Sequence, residues 1–136
     1  MRRILTTLVL TFSAGLPVAA QDAGRGAALF GQCVACHSVV TPDGTVLRGG
    51  SRVGPNLYGV AGRRAGGDPG FDYSPWLREA GRTGLKWTPE TFAAYLRNPT
   101  AFTKDWLGDD SARARMAFRL ESGAGDILAY LRSLER

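Results

Sequence analysis

The sequence predicts an all-α fold, with short helices strung around one long glycine-rich loop. Three observations predict it. Segments of helical periodicity are bounded by capping and stop residues. No run alternates polar and apolar residues for long enough to read as a strand. Residues 38–70 hold nine glycines together with Pro42, Pro55 and Pro69, a composition poor for regular structure and poor in side chains for a core. A loop of that length is uncommon inside a compact domain. It implies that a prosthetic group supplies the apolar centre and that the loop wraps it. At 136 residues, with no repeat and no low-complexity tract, the chain is bounded to one domain.

Taken in order, residues 1–20 read as a signal peptide and residues 21–136 as the domain. Arg2 and Arg3 give a basic start, and Ile4 to Leu16 is a mostly apolar run that Pro17 breaks. The run is too short for a membrane span, which takes about 18 residues or more. Val18-Ala19-Ala20 places small residues before a cut at Gln21. An uncleaved anchor is the competing reading. Cleavage would leave 116 residues and, with Arg2 and Arg3 gone, lower the formal charge from +5 to +3. Export points to the periplasm.

The domain opens with a helix expected over Asp22 to Cys36. Asp22 is a good N-cap and suits the positive end of the helix dipole. Gly24, Gly26 and Gly31 lower its propensity. Gly26 lies four residues before Phe30, so a bare backbone sits beside an inward aromatic. Gly26 reads as the place where a second helix crosses closely; a frayed N-terminus is the competing reading.

The helix ends in Cys33-Val34-Ala35-Cys36-His37. Two cysteines with two residues between them and a histidine directly after form the attachment signature of a c-type haem. The two thiols add across the haem vinyl groups as thioethers, so they must share a face, as positions three apart on a helical turn do. His37 then lies under the ring and offers a nitrogen to the iron. A disulfide would leave the histidine without a role. A thioredoxin-type pair belongs with a βαβ pattern that is absent here. A structural zinc site takes four Cys or His ligands, and the chain holds two cysteines and one histidine.

Within the long loop, Thr41-Pro42-Asp43-Gly44 signals a turn. Three helices follow. Ser74-Pro75 caps a short one that ends at Gly81. Thr88-Pro89 caps another, with Phe92, Tyr95 and Leu96 on one face and a stop before Pro99. The last runs from about Gly123 to Leu134, with Ile127, Leu128, Leu131 and Leu134 along one side. Residues 38–53 and 100–115 stand as extra loop segments without an assigned role.

With these motifs in order over nearly all of residues 21–136, the chain resembles the class I cytochromes c, in particular the mitochondrial cytochrome c and bacterial cytochrome c2 group. The resemblance implies roles for individual residues. In Gly54-Pro55-Asn56-Leu57, the Pro55 carbonyl would accept a hydrogen bond from His37 Nδ1 and leave Nε2 for the iron. Arg63 sits where the family places an arginine near a haem propionate. Tyr73 and Trp87 match the residues that hydrogen-bond propionates, and Tyr95 matches a tyrosine beside the axial methionine. Arg115-Met116-Ala117-Phe118 resembles the segment that delivers the sixth ligand, and Tyr130 falls at the crossing of the first and last helices. Two departures stand out. The stretch Thr100 to Arg115 is longer than the mitochondrial pattern, and Ala114 replaces a threonine whose hydroxyl forms a hydrogen bond near the ligand.

Independently of the resemblance, Met116 is the sole methionine once the signal is removed, and His37 is the sole histidine. A second histidine ligand from this chain is therefore impossible. A thioether suits haem iron and raises its potential; the competing reading of Met116 is core filler. The resemblance selects ligation, with His37 and Met116 both on the metal.

The function expected is that of a soluble, monomeric periplasmic carrier of one haem c. It moves single electrons between larger redox proteins by cycling Fe(III)/Fe(II), transforms no substrate, and has no nucleic-acid partner and no membrane insertion after cleavage. A haem subunit of one dehydrogenase or oxidase, or a catalytic or ligand-sensing haem with an open sixth position, are the alternatives. Lys86 and Lys104 are the only lysines, so arginine carries the basic character. Arg113, Arg115 and Arg119 flank Met116 and are expected to give the haem edge a positive field for an acidic partner.

Overall fold

The computed structural model describes residues 21–135. The proposed signal peptide and its cut lie outside the described residues. Five α-helices follow one another as α1 (Ala23–Leu29), α2 (Pro75–Arg82), α3 (Pro89–Arg97), α4 (Pro99–Leu107) and α5 (Ala124–Ser133). A two-stranded antiparallel hairpin, β1 (Val39–Val40) and β2 (Val46–Arg48), sits between α1 and α2.

The α1–α5 crossing anchors the fold. Asp22 caps α1, its carboxylate accepting from Arg25 N at 3.0 Å. Asp126 in the first turn of α5 then joins the two helix starts. It accepts from Asp22 N at 2.9 Å and pairs with Arg25 Nε at 3.0 Å. Gly26 is buried at the crossing; a Cβ there would run into the Asp126 carbonyl and lie 2.9 Å from Tyr130 Cβ. Phe30 is wholly buried beneath it, its ring 5.6 Å from that of Tyr130. The close approach expected at Gly26 and the place of Tyr130 are both found.

The hairpin is the first difference from expectation. Its strands are too short to carry an alternating pattern, so only its turn is visible in the sequence. Arg48 docks it on the crossing: its guanidinium lies 5.6 Å from the ring centroids of both Phe30 and Tyr130, and it donates to the Tyr130 hydroxyl at 3.1 Å. The side chain of Asn56 ties β1 to the following loop, accepting from Val40 N at 2.9 Å and donating to Val40 O at 2.7 Å.

The second difference is α4, in a stretch expected to be loop. Asn98 ends α3 and also caps α4, accepting from Ala101 N at 3.1 Å, with Pro99 in the first turn and Gly108 left-handed at the C-cap, φ 62°. Those are ordinary helix signals. The first helix is also shorter than expected. It is α-helical to Leu29, tightens to a 3₁₀ turn at Phe30–Gln32, and runs as turn through Cys36. Gly31 lowers the helix propensity of these last turns. The other boundaries fall within a residue or two of expectation. Ser74 caps α2, and a Thr88–Thr91 capping box opens α3.

Candidate haem site

The CxxCH turn is closed by its own backbone. Cys36 N donates to Cys33 O at 3.1 Å, and His37 N donates to the same oxygen at 2.8 Å. The imidazole that follows is held from behind. Its Nδ1 donates to the Pro55 carbonyl at 2.8 Å, which fixes the tautomer and leaves Nε2 as the lone-pair nitrogen. Gly54 packs against the ring; a Cβ there would lie 2.6 Å from Nδ1. Burial holds the His37 pKa below its ordinary value, against the opposing pull of the Pro55 carbonyl. Burial thus favours the neutral form of the ring, the form that can bind a metal.

His37 opens on a cleft lined by Cys33, His37, Leu57, Trp87, Phe92, Tyr95, Leu96, Met116 and Ile127. Five of the residues singled out in the sequence thus share one cavity: Cys33, His37, Trp87, Tyr95 and Met116. Cys36 is exposed and lies outside that lining. The two cysteines are not joined in a disulfide, and before any attachment burial with the neighbouring Cys36 pushes the Cys33 thiol up to about 11. Pro55 stands behind the imidazole rather than in the cavity. Burial lifts the Tyr95 hydroxyl to about 12, with Tyr73 adding to the shift. Burial also raises Tyr73, and the Arg63 guanidinium nearby opposes it.

Arg63 is held by two carbonyls, donating from Nη1 to Tyr58 O and from Nη2 to Asn56 O, each at 3.0 Å. Its Nε is buried without a hydrogen-bond partner among the described residues. An unpaired buried donor on a cation is costly unless an anionic group completes it. The donor set therefore fits a haem: an apolar cleft, a neutral imidazole in a fixed tautomer, a thioether lining the same cavity, and a guanidinium N–H left for a carboxylate.

Chains similar to this one bear on the same point. No family model matches the chain. Cytochrome c2 of Rhodobacter capsulatus is 45% identical over 118 residues, covering 87% of this chain and 86% of its own length. Cytochrome c-551 of Roseobacter denitrificans is 41% identical, covering 98% of this chain and 95% of its own. The chain belongs to the cytochrome c2 family. The solved Rhodobacter capsulatus cytochrome c2 superposes with a TM-score of 0.80 at 44% identity, covering 85% of this chain and 99% of that one. The Paracoccus denitrificans cytochrome c2 gives 0.81 at 32% identity, over 85% and 98%. As a cytochrome c2 the chain has the class I cytochrome c fold, carries one covalently attached haem c and transfers electrons with redox partners.

The sequence did not single out Leu57, Phe92, Leu96 and Ile127 as site residues. Phe92, Leu96 and Ile127 were present as the apolar stripes of α3 and α5, where core and cofactor wall read alike, and Leu57 lies in the long loop, where no periodicity marks it. The arginines near Met116 differ from expectation in one respect. Arg115 is not free: it donates to Asp72 O at 2.7 Å and lies 3.6 Å from the Asp72 carboxylate. Arg113 folds back, donating to Asp110 O at 2.8 Å and Ala112 O at 2.7 Å. Arg119 is exposed.

Proposed function

We propose that this chain is a periplasmic single-electron shuttle whose haem is attached through Cys33 and Cys36, with His37 and Met116 as axial ligands. The haem supplies the Fe(III)/Fe(II) couple. His37 and Met116 would hold its iron, the apolar lining of the cleft would exclude water from it, and the chain would pass one electron at a time without transforming a substrate. The observation that carries this reading is that His37 and Met116 line the same apolar cleft, with the imidazole tautomer held by the Pro55 carbonyl. Arg63 Nε supports a propionate contact beside Tyr73, and Trp87 and Tyr95 wall the cleft. Partners with acidic docking surfaces suit the arginines around Met116. No helix among the described residues is long and apolar enough to cross a membrane, and the proposed signal peptide supports export.

Met116→Ala tests the reading. The oxidised protein should lose the long-wavelength sulfur-to-iron absorbance band, bind added imidazole readily and drop in reduction potential, because no second methionine or histidine remains to replace the ligand. An unchanged spectrum and potential would remove Met116 from the iron.

A further inference from the structure

The segment that carries Met116 has no regular structure of its own. Residues 114 to 122 run as bends and coil between α4 and α5. Three hydrogen-bonded ties to the rest of the domain hold it among the described residues. Leu120 N donates to Leu96 O on α3 at 2.9 Å. Ala114 N donates to the Thr100 hydroxyl at 3.2 Å. Arg115 is held by Asp72, through the carbonyl at 2.7 Å and the carboxylate at 3.6 Å, and Arg78 Nη1 fixes that carboxylate at 3.0 Å. Leu120 uses backbone on both sides. The other two ties depend on particular side chains, and both fall within two residues of Met116.

We propose that Thr100 and Asp72 are positioning residues for Met116: they hold its segment closed over the cleft and set how often the sixth position opens. This rests on the reading of Met116 as the axial ligand. Local stability governs such opening. A segment without helix or strand opens at a cost set by the few contacts that pin it. Position 114 is alanine and has no hydroxyl to offer. Thr100, half-buried in the first turn of α4, brings a hydroxyl to the backbone of the same residue from outside the segment. The Thr100 tie is a neutral hydrogen bond in a part-buried place. The Asp72 tie is exposed and weaker, yet it grips the residue next to Met116. The unexpected helix α4 thereby acquires a use, because without it Thr100 would not stand beside Ala114.

The test uses ferric holoprotein and imidazole as probe. At saturating imidazole the observed binding rate reaches a plateau that reads segment opening. Thr100→Val, which keeps the shape and removes the hydroxyl, should raise that plateau about two- to tenfold. Arg115→Met, which removes both the bond to the Asp72 carbonyl and the ion pair with its carboxylate, should raise it about two- to fivefold, and Thr100→Ser should restore the parent rate. Denaturant midpoints should stay close to the parent, which separates a local latch from general damage. Parent-like plateaus in both variants, or a rise matched by a lowered midpoint, would overturn the proposal. The sulfur-to-iron band of the parent reports the other reading separately. With the band present, flat plateaus sink only the latch; with the band absent, the ligand assignment falls and the latch with it.

Discussion

At the scale of single residues, His37 is held by two neighbours in the long loop. The Pro55 carbonyl receives its Nδ1, and Gly54 leaves the room that the ring occupies. A side chain at 54 has no space that does not belong to the imidazole. Gly54→Ala should therefore cost about 1–3 kcal/mol, as overpacking does, and lower holoprotein stability to denaturant. A midpoint equal to the parent's would show that the ring can step aside freely. Arg63 illustrates the opposite case, a side chain with too few partners. Two of its nitrogens are satisfied by carbonyls and Nε is not. Its place in the sequence suggested a propionate contact through resemblance; the orphaned donor is a reason independent of it.

At the scale of elements, the crossing of α1 and α5 carries the frame. Gly26 meets the Asp126 backbone there, and a backbone carbonyl cannot rotate away as a flexible side chain can. Gly26→Ala should separate the helices and destabilise the protein by about 1–3 kcal/mol, toward the upper end of the overpacking range. Thermal or denaturant unfolding of the holoprotein measures it, and an unchanged midpoint would mean that the helices slide without loss. This crossing was legible in the sequence because a glycine four residues before an inward phenylalanine bares the helix backbone on the face that the core uses. The helix α4 was less legible. Its cap and stop residues were present, but Pro99 reads locally as the end of α3 alone, whereas Asn98 serves both helices. From α4 Phe102 reaches back to Tyr95, with ring centroids 5.9 Å apart, and Trp106 stacks on Phe102 at the same distance.

At the scale of the whole molecule, the haem replaces much of an ordinary core. The loop of residues 38–70 contributes only Val39, Val60 and Ala65 as buried apolar residues. With the haem attached as proposed, Cys33→Ala or Cys36→Ala would leave one thioether at best, and holoprotein yield should fall sharply. Normal yields of stable apoprotein would show that the side chains suffice. Charge acts on the same scale. Arg113→Glu with Arg119→Glu should slow electron transfer to the physiological partner at low salt and leave spectrum and potential nearly unchanged. Arg115 is left out because Asp72 already holds it. The second-order rate against ionic strength checks the idea, since screening acts over about 8–10 Å at physiological salt; parallel slopes for parent and variant would move the docking surface elsewhere.

The sequence by itself determined what depends on neighbours in the chain. The CxxCH turn, the caps at Asp22, Ser74 and Thr88 and the apolar stripe of α5 are set by contacts a few residues apart, and local chemistry is written locally. Resemblance extended this to the His37–Pro55 bond, which the structure contains at 2.8 Å. Only the tertiary structure decided which distant groups meet. It brought Met116 to the cleft of His37, turned Arg115 onto Asp72, set Thr100 against Ala114, and made Leu57, Phe92, Leu96 and Ile127 cavity wall rather than plain core. Such meetings follow from how helices and loops pack as bodies. An arginine or an apolar stripe carries the same local signal whether its partner across the fold is a carboxylate, a helix or a haem.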